Sequence, residues 1–276
     1  MTIPIQQQLS LLSDRQRRLF SRALRGDSAA RLWLDPVGKG LMVNPDPWQR
    51  ELQVEVLTHE QNAICDCSRQ SGKTEVAASL GYAIGCLGEF AMIVSPSDRQ
   101  SLEHMAVVQE HHNRLKVGQM QADPTKHEMT FANGGRILAL PNSPSKIRGF
   151  RKVRLLIIEE AAFVPDEVYN AIRPVLAVGG GQTLLISTPN GQQGFFYEEW
   201  LKSNWCKHRI SWRDVGNHAD GRMRLTPEWI EAERKKPGVN VIQEYLDCAP
   251  GEEFQVAQYS FFGNVDRGWG ALYEGN

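Results

Sequence analysis

Three short segments carry residue types that could do chemistry on a nucleoside triphosphate. The first, Cys67-Ser68-Arg69-Gln70-Ser71-Gly72-Lys73-Thr74, ends as a phosphate-binding loop ends, although Cys67 stands where such loops usually open with glycine. A glycine before the lysine lets successive backbone N–H groups turn toward a phosphate. The lysine then brings a compact charge to the terminal phosphates, and the threonine hydroxyl can take a place on Mg²⁺. The second segment is Glu159-Glu160, which closes the apolar run Val153-Arg154-Leu155-Leu156-Ile157-Ile158. At a strand end, one carboxylate can hold Mg²⁺, directly or through water, while the next orients and activates an attacking water. The third, Ile186-Ser187-Thr188-Pro189-Asn190-Gly191, puts small hydroxyls where they could sense a γ-phosphate by bonding to the catalytic water or to Glu160. On its residues alone, a Pro-Asn-Gly turn with polar caps accounts for this last segment more simply.

Chemistry of this kind needs a strand, the loop and a helix in that order. Ala63-Ile64-Cys65-Asp66-Cys67 is strand-like, and a helical pattern runs on from Glu75, so a helix starting at about Thr74 would add its positive dipole end to the loop. The alternation extends along the chain: helix 48–58, strand 62–67, helix 74–86, strand 90–95 and helix 98–115. A hairpin or tight turn follows around Asn133-Gly134-Gly135, then interior strands at 153–158 and 183–186. This predicts a mostly parallel sheet covered by helices on both faces, with ligands at its carboxyl edge. Residues from about 5 to 34 read as helical, and the breakers between Asp35-Pro36 and Asp46-Pro47 end them. The expected division is a helical arm and linker over 1–47, a core over 48–206, and a small lid with a C-terminal linker over 207–276. In the lid, His208 to Trp212 alternates like a strand and Thr226-Pro227 opens a helix.

With 276 residues the chain can bury a full core, and one large α/β domain with an appendage suits that length. No apolar run reaches the length of a membrane span and the N-terminus lacks a signal layout, so an intracellular protein is expected. Five cysteines without Cys-x-x-Cys spacing suggest buried free thiols. A net charge of −1 hides basic clusters: Arg136, Lys146, Arg148, Arg151, Lys152 and Arg154 in a stretch without acids, and Arg15, Arg17, Arg18, Arg22 and Arg25 near the start. Such clusters attract phosphates, or are simply a solvated basic face. His104, His111 and His112 lack partners at metal-ligand spacing, which predicts a polar helix face.

Taken together, Ser68 to Thr74, Ile147-Arg148-Gly149, Leu155 to Phe163 and Ser187 to Gly191 resemble the ATPase domain of the large terminase subunit, the DNA-packaging motor of tailed bacteriophages. The likeness runs from about Asp46 to Pro250, and the Ser-Arg-Gln opening of the loop is its most specific part. It implies a P-loop NTPase of the ASCE type with a small C-terminal lid, using ATP and Mg²⁺ and stimulated by DNA. By resemblance, Trp48-Gln49 matches the adenine motif, with Gln49 on the base edge and Trp48 as a packing surface. Ser68, Arg69, Gln70, Ser71, Gly72, Lys73 and Thr74 would cradle the phosphates, with Thr74 on the metal and Arg69 at the γ-phosphate. Arg148 matches an arginine finger directed at a neighbouring subunit, Glu159 the metal carboxylate, Glu160 the catalytic carboxylate, and Ser187-Thr188 the coupling motif. A structural salt bridge or a DNA-backbone contact stays open for Arg69 and Arg148.

Two departures stand out. Many terminases have Asp where this chain has Glu159, a longer side chain that could shift the metal outward or leave it to water bridges. Large terminases also usually continue into a nuclease, and too few residues follow Leu246 for that fold, so no nuclease activity is expected in this chain. The resemblance implies double-stranded DNA, a portal protein and a small terminase subunit as partners, in the cytoplasm of an infected bacterial host. It further implies a homo-oligomeric ring on the capsid, with a monomer in solution left open, and no membrane. A helicase-like or remodelling ATPase, and a nucleotide-dependent assembly protein with little turnover, remain alternatives.

Overall fold

The computed structural model describes residues 12–254, apart from 148, 179, 203 and 217–222. The strands are β1 (Ala63–Cys67), β2 (Phe90–Ser95), β3 (Glu128–Thr130), β4 (Arg136–Pro141), β5 (Val153–Glu159), β6 (Gln182–Ser187) and β7 (Cys206–Ile210). The helices are α1 (Asp14–Leu24), α2 (Ser28–Leu34), α3 (Pro47–Val54), α4 (Lys73–Cys86), α5 (Asp98–Leu115), α6 (Pro144–Ile147), α7 (Asp166–Ile172), α8 (Gly194–Leu201), α9 (Pro227–Arg234) and α10 (Val241–Tyr245).

All seven strands form one sheet in the order β3-β4-β2-β5-β6-β1-β7, parallel except for β3, which closes a hairpin on β4. The expected fold class is what is observed. Period-two alternation explains why both faces are covered. Ala63, Cys65, Ile93, Ile157 and Ile186 enter one apolar cluster, packed by α1 to α5. Ile64, Met92, Val94, Ile158 and Leu185 enter the other, packed by α7 and α8. Register fixes the active edge: Asp66 lies opposite Ser187, and Glu159 opposite Ile186. Because β6 sits between β1 and β5, the ends of the three motif-bearing strands lie side by side.

Two expectations are corrected. From residue 12 onward the N-terminal segment is not an arm. Leu19, Ala29, Leu32, Trp33, Leu41 and Met42 join the main core, and each large side chain buried there stabilises by about 2 kcal/mol. The stretch read as helical to about Leu34 forms two helices, because Gly26 takes φ +94° and Asp27 caps α2 through its bond to the Ala30 N–H; residues 5–11 lie outside those described. The boundary at 206/207 cuts through β7, which pairs along β1 from Cys206 to Ile210 and is the sheet's edge. Beyond it, α9 and α10 pack with Trp212 and Leu225 around a separate small apolar cluster.

The basic clusters also thin out on folding. Arg136 pairs with Glu128 at 2.5 Å and stacks over Phe90 and Phe150. Arg154 is buried against Glu60 and the Gly180 carbonyl, and Arg15 bridges Glu60 and Glu89. Arg151 and Lys152 stay exposed. No helix among the described residues is long and apolar enough to cross a membrane.

Candidate active site

The phosphate loop leaves β1 at Cys67 and is pinned at its start from two sides. The Ser68 N–H donates to the Ile210 carbonyl at 2.8 Å and the Arg69 N–H to the Glu244 carbonyl at 2.7 Å. Gln70 at φ +63° and Gly72 at φ +86° then turn the chain left-handed, and Gly72 becomes the N-cap of α4. The first-turn N–H groups of a helix have no intrahelical acceptor and carry its positive end, so the turn presents donors suited to an anion. The hydroxyls of Ser68 and Ser71 are buried without a partner among the described residues, and buried polar groups left unpaired in this way suit a ligand that supplies acceptors.

A cleft of about 400 Å³ opens over the loop, lined by residues 69–74, Glu159 and Glu160, with Gln100, Glu103 and Arg224 at its sides. A larger cavity, about 730 Å³, opens at the opposite edge of the sheet near Asn62, Gly181 and Trp205. Its buried Glu199 is already bonded by Tyr169 and Trp205, and the candidate residues of the phosphate loop line the smaller cleft instead.

Within the cleft the two carboxylates have different settings. Glu159, the last residue of β5, is almost fully buried; Oε1 accepts from the Thr74 hydroxyl at 2.8 Å, and Oε2 lies 2.6 Å from His104 Nε2. Burial alone would raise its pKa, but the bond and charge of His104, the Thr74 hydroxyl and the Lys73 ammonium together hold it below the usual carboxylate range. Thr74 and Glu159 thus bring two hard oxygen donors together, a donor set that fits Mg²⁺. Glu160 steps off the strand in a left-handed conformation, φ +49°, uncommon for a side chain of this size. Its Oε1 lies 3.6 Å from Lys73 Nζ, and its Oε2 lies 3.5 Å from both the Ser187 and the Thr188 hydroxyls. Ser187 in turn accepts from the Ala162 N–H at 3.2 Å, which ties the end of β6 to the turn after Glu160. The segment after β6 is therefore more than a capped turn.

The remaining expected residues divide. Gln49 is buried at the loop: its Oε1 accepts from the Asp46 N–H at 2.8 Å and its Nε2 donates to the Gly72 carbonyl at 3.2 Å. Trp48 lies in the main core and does not line the cleft, which removes it as a surface for the base. Arg69 is largely exposed at the rim, with Nε 3.3 Å from Glu244 of α10. Arg148 lies outside the described residues.

Several residues around the cleft were not foreseen. His104 is fully buried and His111 nearly so, in the stripe Ser101, His104, Met105, Val108 and His111 that α5 turns inward, which corrects the expected polar face. Their spacing with Met105 and Val108 was the available signal. Burial, then the neighbouring Arg114, lowers the His111 pKa to about 4. Arg224 donates to the Gln70 carbonyl at 2.9 Å and reaches Asp46 at 3.5 Å, and no local pattern announces it. Asp66 is fully buried beneath the loop, and desolvation, then the negative charge of Glu253, pushes its pKa well above the carboxylate range.

Residues 64–262 match the family described as terminase large subunit, T4likevirus-type, N-terminal. This chain belongs to that family. Among solved terminases it is similar to the isolated ATPase domain of the Thermus phage P74-26 large terminase, with a TM-score of 0.57 and 22% identity over 74% of this chain and 98% of that one. The large terminase of a thermophilic bacteriophage, solved in complex with ADP, gives 0.54 at 16% identity over 74% of this chain and 53% of that one. The bacteriophage HK97 large terminase gives 0.52 at 16% identity, covering 80% and 49%. At these identities the likeness shows a shared fold. The chain spans nearly all of the isolated domain and about half the length of the other two terminases.

Proposed function

We propose that this terminase domain hydrolyses ATP in the cleft over residues 68–74 and converts turnover into movement of double-stranded DNA into a procapsid. The observation that carries the proposal is the placement of Glu160, held between Lys73 on one side and Ser187 and Thr188 on the other. A carboxylate there can take the proton of a water attacking a γ-phosphate, while Lys73 and the loop donors balance charge on the transferring group. Thr74 and Glu159 would hold Mg²⁺, which would supply positive charge against the phosphates. Ser187 and Thr188 touch the same carboxylate that activates water, so loss of the γ-phosphate can be felt by β6 and passed on. From Pro189, which follows, the carbonyl accepts from Gln243 Nε2 of α10 at 2.9 Å, giving that signal a route to the segment after β7. Gln49, beside Gly72, would recognise adenine, and Arg69 would reach the γ-phosphate on leaving Glu244.

In this proposal subunits act as a ring on the capsid with a portal and a small terminase subunit, and Arg148 completes a neighbour's site. DNA contacts would be to phosphates, through exposed cations such as Arg151, Lys152 and Arg213, and would weaken steeply with salt. The test is ATP turnover with and without duplex DNA, for wild type and Glu160→Gln. The expected outcome is DNA-stimulated turnover that falls about 10²- to 10⁴-fold in the variant while nucleotide still binds. Turnover independent of Glu160 would refute the proposal.

A further inference from the structure

Glu159 differs from an aspartate by one methylene and one more rotatable bond, yet both of its oxygens are engaged: Oε1 by Thr74 and Oε2 by His104. A longer carboxylate at a metal site has more arrangements to lose on binding the ion, so something must hold it if it is to act as a pre-formed ligand. His104 has the attributes of such a holder. It is fully buried, its Nε2 approaches Oε2 at 2.6 Å, and it stands two turns inside α5, whose Met105 and Val108 pack into the main core. Its other ring nitrogen, Nδ1, has no partner, so the contact with Glu159 is the ring's one hydrogen bond among the described residues. A histidine whose role was to fill core volume would leave two polar atoms at a cost that leucine avoids.

We propose that His104 is a positioning residue for the metal carboxylate. Its Nε2–H fixes the plane of Glu159 so that Oε1, beside the Thr74 hydroxyl, is presented to Mg²⁺ without rearrangement. His104 does not line the cleft; it acts through Glu159, as outer-shell partners of metal ligands commonly do, where removing them costs about 10- to 100-fold in metal affinity. The pairing also accounts for Glu in place of Asp: the extra methylene lets the carboxylate span from β5 to both α4 and α5.

This inference rests on the nucleotide-and-metal proposal above, and the test separates the two. A fluorescent ATP analogue is titrated onto the full chain without metal and at increasing Mg²⁺, for wild type, His104→Leu and His104→Gln. Leucine fills the volume without a donor, and glutamine restores an N–H at similar reach. The expected result is a Mg²⁺ midpoint raised about 10- to 100-fold in His104→Leu, largely recovered in His104→Gln, with metal-free affinity unchanged in both. A wild-type midpoint in folded His104→Leu, or equal losses with and without Mg²⁺, would overturn the positioning role while leaving the nucleotide site intact. If His104→Leu fails to fold, His104→Ala takes its place: a Mg²⁺ midpoint raised about 10- to 100-fold supports the role, and a wild-type midpoint overturns it. Absence of any Mg²⁺ dependence in wild type would remove both proposals together.

Discussion

Replacing Gly72 with alanine should damage the loop in two separable ways. Gly72 has φ +86°, a conformation that costs an L side chain about 1–2 kcal/mol. An alanine Cβ would also stand 2.7 Å from Gln49 Nε2 and 3.1 Å from Arg224 Nη1. Gln49 is the end of a flexible side chain, so it would swing away and lose its 3.2 Å bond to the Gly72 carbonyl, worth about 1 kcal/mol. The sum, about 2–3 kcal/mol, corresponds to a Tm lowered by about 4–12 °C for a domain of this size. Gly134 supplies the control, since it has nearly the same dihedral, φ +88°, with nothing within 4 Å of an added Cβ. Thermal melts of Gly72→Ala and Gly134→Ala should therefore differ by about 2–4 °C, the share due to Gln49. Combining Gly72→Ala with Gln49→Ala should be less than additive by about 1 kcal/mol. Equal melting shifts for the two glycines, together with strict additivity in the double variant, would refute the claim that Gln49 braces the loop.

Other outcomes follow from the same geometry. Arg69→Ala should leave the melt almost unchanged, because its pair with Glu244 is largely exposed, while turnover falls about 10³-fold; a large loss of stability with turnover intact would make Arg69 a structural tie. The buried Asp66 has a folded pKa raised well above 3.8, so the folded chain keeps a proton that the unfolded chain releases. Its contribution to stability is full below that unfolded value and is lost as pH rises toward the folded one. Asp66→Asn should flatten the decline of Tm above about pH 4, and a decline parallel to wild type would show that another group is responsible. Mixing Arg148→Ala with Glu160→Ala subunits should restore some hydrolysis if Arg148 acts on a neighbour, and no rescue would argue against action between subunits.

The motifs could be found in the sequence because each is local. Gly72-Lys73-Thr74 must follow a strand and open a helix, and Glu159-Glu160 must end an apolar run, so pattern and period were enough to place them. Helix α5 was placed over its full length, since Ser97 caps it and its apolar positions recur at helical spacing. What the same pattern did not give was that α5 meets Glu159. The spacing of His104 with Met105 and Val108 marks the inward side, but its meeting with Glu159 is a contact across 55 residues that no local pattern contains.

The errors share that cause. Arg15, Arg136 and Arg154 look like a phosphate-binding surface until the partners Glu60, Glu89 and Glu128 are in place. Trp48 looks available to a base until α3 is seen to turn it into the core. β7 looks like part of a lid because nothing in Cys206 to Ile210 states that its partner is β1, more than a hundred residues earlier.

The sequence alone determined the chemistry on offer: a phosphate loop with an arginine in it, two adjacent carboxylates and a hydroxyl pair, each fixed to a strand end by hydrophobic period. Only the tertiary structure decided how they meet. By inserting β6 between β1 and β5, the sheet sets Glu160 between Lys73 and the hydroxyls of Ser187 and Thr188, and packing α5 on the sheet brings His104 to Glu159. Strand order and helix rotation are settled by burial summed over the whole core, and no short stretch of sequence contains that sum.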